Sequence, residues 1–312
     1  MVYGWNPIYI PSQSGHVDVV KYLVEHGADI NRETNDGYTP LFMACYDGKL
    51  NLVKYLVEHG ADINKGNNSG ATPLYVTCEK GHEDVVRYLV EHGADINKED
   101  NDGRTPFYIA CENGHINVEK YLVDVNKEKN DDSTPLLIAY QKGHKDVVKY
   151  LVEHGADINK EDNDGWISLY IACQNGHVNV VKYLVEHGAD INKVTRNGWT
   201  LLYIACENGY EDIVKYLVEH GEDINKEEND GWTPLFKACF KGDLNLVEYL
   251  VEHGADINKE DKGKCTPLIV TSYYGHIDIM KYLVGLGANI NKEDNDGDTP
   301  VKIVHVKMDI SM

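Results

Sequence analysis

No stretch of this chain approaches the roughly 18 consecutive apolar residues that a membrane-spanning helix requires. Residues 1–15 carry neither a basic start nor an apolar core, so no signal peptide is expected. Basic residues are scarce: 30 Lys and Arg stand against 51 Asp and Glu, for a formal net charge of −21. That charge repels nucleic acid and anionic membranes, keeps a long chain soluble and favours partners with basic surfaces. Paired cysteines are missing as well. The seven cysteines include no Cys-x-x-Cys, which excludes the common zinc spacing, and so many unpaired thiols fit a reducing compartment. No segment matches a phosphate-binding loop or a dinucleotide fingerprint. The expectation is a cytoplasmic or otherwise intracellular chain, monomeric, with no cofactor, no metal site and no catalytic residue.

What the sequence does contain is a period. Equivalent positions fall at Gly4, Gly37, Gly70, Gly103, Asp132, Gly165, Gly198, Gly231, Lys264 and Gly297, every interval being 33 residues except the 29 between Gly103 and Asp132. A period of this size marks a solenoid, in which each unit buries its apolar face only against its neighbours. The reading is one array over residues 1–312, nine full units and a partial tenth.

Within one unit, Thr39 is expected to cap a first helix and Pro40 to open it, since a missing amide proton costs nothing at that position. Gly48 ends this helix and Gly60 the second, where left-handed backbone is usual. Asn51, and an Asp or Asn three residues after each corner glycine, are expected to cap the second helix or complement its dipole. Leu52, Val53, Leu56 and Val57 form a stripe of helical period. Six cysteines recur eight residues after the marker and look like small core residues. Thirteen of the fourteen histidines fall on two repeat positions, which assigns them to corner bonding and to helix C-termini rather than to metal or catalysis.

The pattern Asp-Gly-x-Thr-Pro-Leu, then Ala, Gly-His, Val-Val, Leu and Gly-Ala-Asp-Ile-Asn, resembles the ankyrin repeat over nearly the whole chain. The resemblance implies an all-α solenoid of helix–turn–helix units with hairpin-like fingers. It also implies a non-enzymatic scaffold that binds other proteins on a concave surface of finger tips and first helices. Two alternatives stay open: an accessory array of a larger enzyme, channel or regulator, and a host-directed effector of an intracellular microbe, delivered without a signal peptide. The family's usual His after Thr-Pro-Leu is here Phe42, Tyr75, Tyr108, Tyr170, Tyr203 and Phe236. Ile167-Ser168 and Thr200-Leu201 depart from Thr-Pro, four residues are missing after Val123, and Pro11 is expected to fray its helix.

Candidate binding residues are those where the copies disagree. Trp166, Trp199 and Trp232 follow the marker glycine on three consecutive fingers, either packed along neighbouring fingers or forming a ladder for a partner. Lys237 takes a slot that is apolar in the other copies, with its ammonium expected to snorkel outwards. Phe240, Tyr273 and Tyr274 take mostly polar slots at first-helix ends, and Lys241 and Lys264 add charge of the rarer sign. On this reading, Trp232→Ala, Phe240→Ala and Tyr273→Ala together remove partners without loss of stability.

Overall fold

The computed structural model describes residues 7–122, 134–159 and 168–310. Trp5, Trp166, Ile167 and the shortened segment after Val123 lie outside them. Among the described residues every regular element is a helix, and the chain forms two compact units, Met1–Asp157 and Ile158–Met312. Each unit is a solenoid of stacked helix pairs. First helices lie against first helices of the adjoining repeat, and second against second.

Threonine caps begin the first helices. In Pro40–Tyr46, Pro73–Lys80, Pro106–Asn113, Pro135–Lys142, Leu201–Asn208, Pro234–Lys241 and Pro267–Tyr274 the preceding threonine oxygen accepts from the amide three residues on, at 3.1–3.4 Å. Such a bond is worth about 1 kcal/mol. Thr200 keeps it although Leu201 replaces proline, so the cap survives there. Pro11 is also better tolerated than expected. It is the third residue of the helix Tyr9–Ser14, within the first turn, where amides have no intrahelical acceptor to lose.

The second helices need a correction. Their N-caps are the residues directly after the corner glycine, His82 for Glu83–Glu91 and His144 for Lys145–Glu153, and these make no side-chain cap bond. Asp84 and Asp146 sit inside the first turn, where only the dipole role remains. Asp243 is different: itself the N-cap of Leu244–Glu252, it accepts from the Leu246 amide at 3.1 Å. The buried stripe is also shifted. In Leu50–Glu58 it is Leu52, Val53, Tyr55 and Leu56, so the tyrosine displaces Val57.

Glycine punctuates the chain by conformation. Every described glycine at the marker and at the two helix ends has φ between 65° and 98°, while Gly66, Gly263 and Gly285, which fall elsewhere, do not. Lys264 alone among the described non-glycine residues adopts positive φ, at 58°. It occupies a marker slot, at a backbone cost of about 1 kcal/mol that the glycine copies avoid.

Three polar stitches join successive repeats. In the fingers, the Asn101 amide donates to the Ser69 carbonyl at 2.9 Å and its side chain to Asn68 at 3.0 Å. At the outer connector, Asn31 donates to the Gly60 carbonyl at 3.0 Å and accepts from the Asp62 amide at 2.8 Å. At the corner, the Nε2 atoms of His82 and His115 bond to the carbonyls of Tyr46 and Glu79 in the preceding repeat, each at 3.0 Å.

The corner stitch requires its glycine. A Cβ on Gly81 would stand 2.6 Å from the His115 ring, and φ there is 73°. Gly81→Ala is therefore expected to cost about 2 kcal/mol, from left-handed strain together with displacement of His115. Chemical denaturation checks this, and a cost below about 0.5 kcal/mol would show that the interlock carries no energy.

Candidate functional site

The slots that repeat most faithfully are structural. Six cysteines are buried, and burial pushes the Cys45 thiol up to about 12 and raises Cys78, Cys173, Cys206 and Cys239 as well. A thiol so far from ionisation is a packing group, not a nucleophile. The second set of histidines turns Nδ1 onto the carbonyl four residues back, as His92 does to Tyr88 at 2.8 Å, and the ring stacks on that tyrosine at 3.9 Å. Among the described residues no three His, Cys, Asp or Glu side chains are placed to hold a metal ion. No helix among them is long and apolar enough to cross a membrane.

The second-helix tyrosines serve the joints between repeats. Tyr55, Tyr88 and Tyr216 are buried, and Lys21, Lys54 and Lys182 of the preceding repeats stand over their rings at 5.5–5.7 Å. The tyrosines that replace the family's first-helix histidine reach forward. Tyr170 donates to the carbonyls of Lys193 and Trp199 in the next finger. Tyr170 thereby ties its own repeat to the next finger.

The departures around residue 237 assemble into one cluster. Lys237 sits on Pro234–Lys241 with its side chain only 13% exposed. Its Nζ lies 2.8 Å from Glu207 Oε1, and 5.4, 5.8 and 5.2 Å from the ring centres of Tyr203, Trp232 and Phe240. The ammonium does not snorkel. It folds into a three-ring cage closed by a carboxylate, where ring quadrupoles and Glu207 replace the water it has lost. That geometry explains how an apolar slot accepts a lysine.

The cage extends along the first-helix face. Trp232 donates its indole N–H to Asp261 at 3.1 Å and lies 5.8 and 5.7 Å from Phe236 and Phe240. Phe240 meets Tyr274 edge-on at 4.5 Å, and Tyr274, 54% exposed, carries the run to the surface. Tyr273 turns elsewhere, its hydroxyl donating to Asp294 and Asp298 at 3.3 and 3.1 Å. Trp199 rests on Tyr203 of its own repeat, 6.0 Å between centres. Both described tryptophans thus lie over their own first helix, and Trp232 also bonds to the next finger. Lys241 and Lys264 are exposed. Because Trp232 and Phe240 line the cage around Lys237, their removal is expected to cost stability, so the triple change does not separate binding from packing.

Two features escaped the sequence. One is a groove of about 460 Å³ in the first unit, bordered by Tyr9, Tyr38, Phe42, Met43, Tyr46 and Tyr75, with Glu79, Asp100 and Arg104 nearby. Its signal was present in the same register as the cage, since Tyr9, Tyr38 and Tyr46 correspond to Tyr203, Trp232 and Phe240. The other is Glu222, buried where most copies carry alanine, whose Oε1 accepts from the Leu202 amide at 2.9 Å. Burial raises its carboxyl to about 7, against the pull of the Leu202 amide, the Thr200 hydroxyl and the Leu201 amide, with Asp223 adding to the rise.

Comparison with known families agrees with this architecture. A family model described as ankyrin repeats (3 copies) matches residues 31–100, 61–131, 93–162, 120–195, 156–228, 188–261 and 222–294. A second, described as ankyrin repeats (many copies), matches residues 8–48. No curated protein matches the chain at a significant level.

Proposed function

This chain belongs to the ankyrin-repeat family, whose members are generally protein–protein interaction modules, and from that membership we propose that it is a non-enzymatic scaffold holding partner proteins on its finger and first-helix surface. The docking patch is the group Trp199, Trp232, Lys237, Phe240, Lys241, Lys264, Tyr273 and Tyr274. One observation carries this reading: four residues that break the repeat, Trp232, Lys237, Phe240 and Tyr274, meet in one run that ends on the exposed ring of Tyr274. Aromatic rings and cations supply most hot spots at protein interfaces. Within the patch the labour divides. Trp232, Lys237 and Phe240 form the rigid floor, and Tyr274, Lys241 and Lys264 present the surface. The net charge of −21 adds a general attraction for basic partners.

The test spares the floor. Tyr274→Ala with Lys241→Glu should leave unfolding within about 1.5 kcal/mol of wild type, the scale of the one aromatic pair lost. Recovery of partners in affinity capture from the native cell should fall at least about tenfold, roughly 1.4 kcal/mol of binding. Unchanged recovery with unchanged stability would remove the patch from the proposal.

A further inference from the structure

The chain contains its own template for a ligand. In the second unit, rings five residues after one marker and one and nine after the next, Tyr203, Trp232 and Phe240, enclose the Lys237 ammonium. The same offsets in the first unit give Tyr9, Tyr38 and Tyr46. All three border the 460 Å³ groove, and the slot of Lys237 is filled there by Met43, which carries no charge and also lines the groove. A three-ring site is thus repeated in register while its resident cation is not.

We infer that the groove at Tyr9, Tyr38 and Tyr46 receives a lysine side chain from a basic segment of a partner protein. Charge supports that occupant. The carboxylates of Asp36 and Asp47 lie close enough to act on the Tyr9 phenol, which burial and the neighbouring Tyr38 also hold above its ordinary value. Glu79 and Asp100 line the groove itself. Two cations are already there and both are held: Arg104 by Asp100 at 2.8 Å and Asp102 at 3.1 Å, Lys80 by Glu79 at 3.1 Å. Lys80 also stands 4.7 Å over the Tyr46 ring, so one of these rings already carries an ammonium. Gln13 takes the place of Glu207 and is neutral, and Glu79 is already paired, so the incoming charge falls to Asp36 and Asp47. The remaining attraction is the electron-rich character of the rings, which suits an ammonium or guanidinium better than any anion or neutral group.

This inference rests on the finger and first-helix surface being the binding face, and its test separates the two. The probe is acetyl-(Gly-Ser-Lys)4-amide, titrated into the full chain carrying 13C-methyl methionine, with the norleucine analogue as control. The sequence has only five methionines, so the Met43 methyl reports the groove and Met280 the second unit. The expected result is a saturable shift of Met43 with Met280 unmoved, and binding at least tenfold weaker for the norleucine peptide. Tyr38→Ala should weaken binding at least tenfold. Met43→Lys, which supplies the missing cation from within, should do the same with its fold intact by circular dichroism. Equal binding of the norleucine peptide, an unmoved Met43 methyl, no binding at all, or full affinity in a folded Tyr38→Ala variant would each overturn the inference. The scaffold reading would stand if binding then mapped to Tyr274 and Lys241, and it falls only with the capture experiment.

Discussion

As pH rises from about 4.5 through 7, this protein is expected to lose on the order of 3 kcal/mol of folding stability through Glu222 alone, and Glu222→Gln should abolish that loss. The carboxyl is raised to about 7 in the folded chain because it is buried, whereas an unfolded glutamate titrates near its ordinary 4.5. Between these values the folded state holds a proton that the unfolded state has released, so stability falls with rising pH across that window and is level on either side. Groups facing Glu222 sharpen the effect. Asp223 repels its charge, and Glu222 in turn helps raise the buried thiols of Cys173 and Cys206. Glutamine keeps an oxygen for the Leu202 amide and removes the charge. Denaturation of both proteins at pH 5 and pH 8 isolates the difference: near zero at pH 5, and at pH 8 in favour of the variant. A difference that does not move with pH would show that Glu222 reaches water when ionised.

Why such a residue persists follows from its surroundings. Leu201 occupies a slot that is proline in most copies, and so brings an amide proton that proline lacks. Glu222 faces the amides of both Leu201 and Leu202 at this helix start. The sequence displayed both departures, but not that they are neighbours. They lie on one helix start and on the connector that follows the next helix, and only packing brings them together.

The same limit applies elsewhere. The repeat was legible because its glycines mark backbone that other residues resist, and that signal is local. The threonine caps were legible for the same reason, a side chain bonding three residues away. Asn51 and its equivalents were left between cap and dipole partner because residue type alone does not distinguish a cap from the first turn. The true caps, such as His82, spend their rings on the preceding repeat. The destination of the Lys237 ammonium was hidden for a similar reason. Its rings come from Tyr203, Trp232 and Phe240, on two repeats, and a lysine in an apolar slot reads as a snorkel until those rings are placed around it.

That cage carries the second large expectation. Trp232→Ala should cost about 3 kcal/mol, at the lower end for a tryptophan truncation because the ring is only part-buried. Trp199→Ala, the same change in the same repeat slot, should cost about 1 kcal/mol, the scale of an aromatic pair. Trp232 loses its packing on Phe236 and Phe240, its bond to Asp261 and its face of the Lys237 cage, whereas Trp199 has no part in that cage and loses its stack on Tyr203. Trp232→Phe should fall between, restoring a ring for the ammonium but no donor for Asp261. Adding Lys237→Met to Trp232→Ala should then cost less than the two changes summed, since the lysine left behind has already lost one wall of its cage. Equal costs for the two tryptophans, or strict additivity with Lys237, would mean that the cage is a contact without an energy and that Trp232 is free to turn towards a partner.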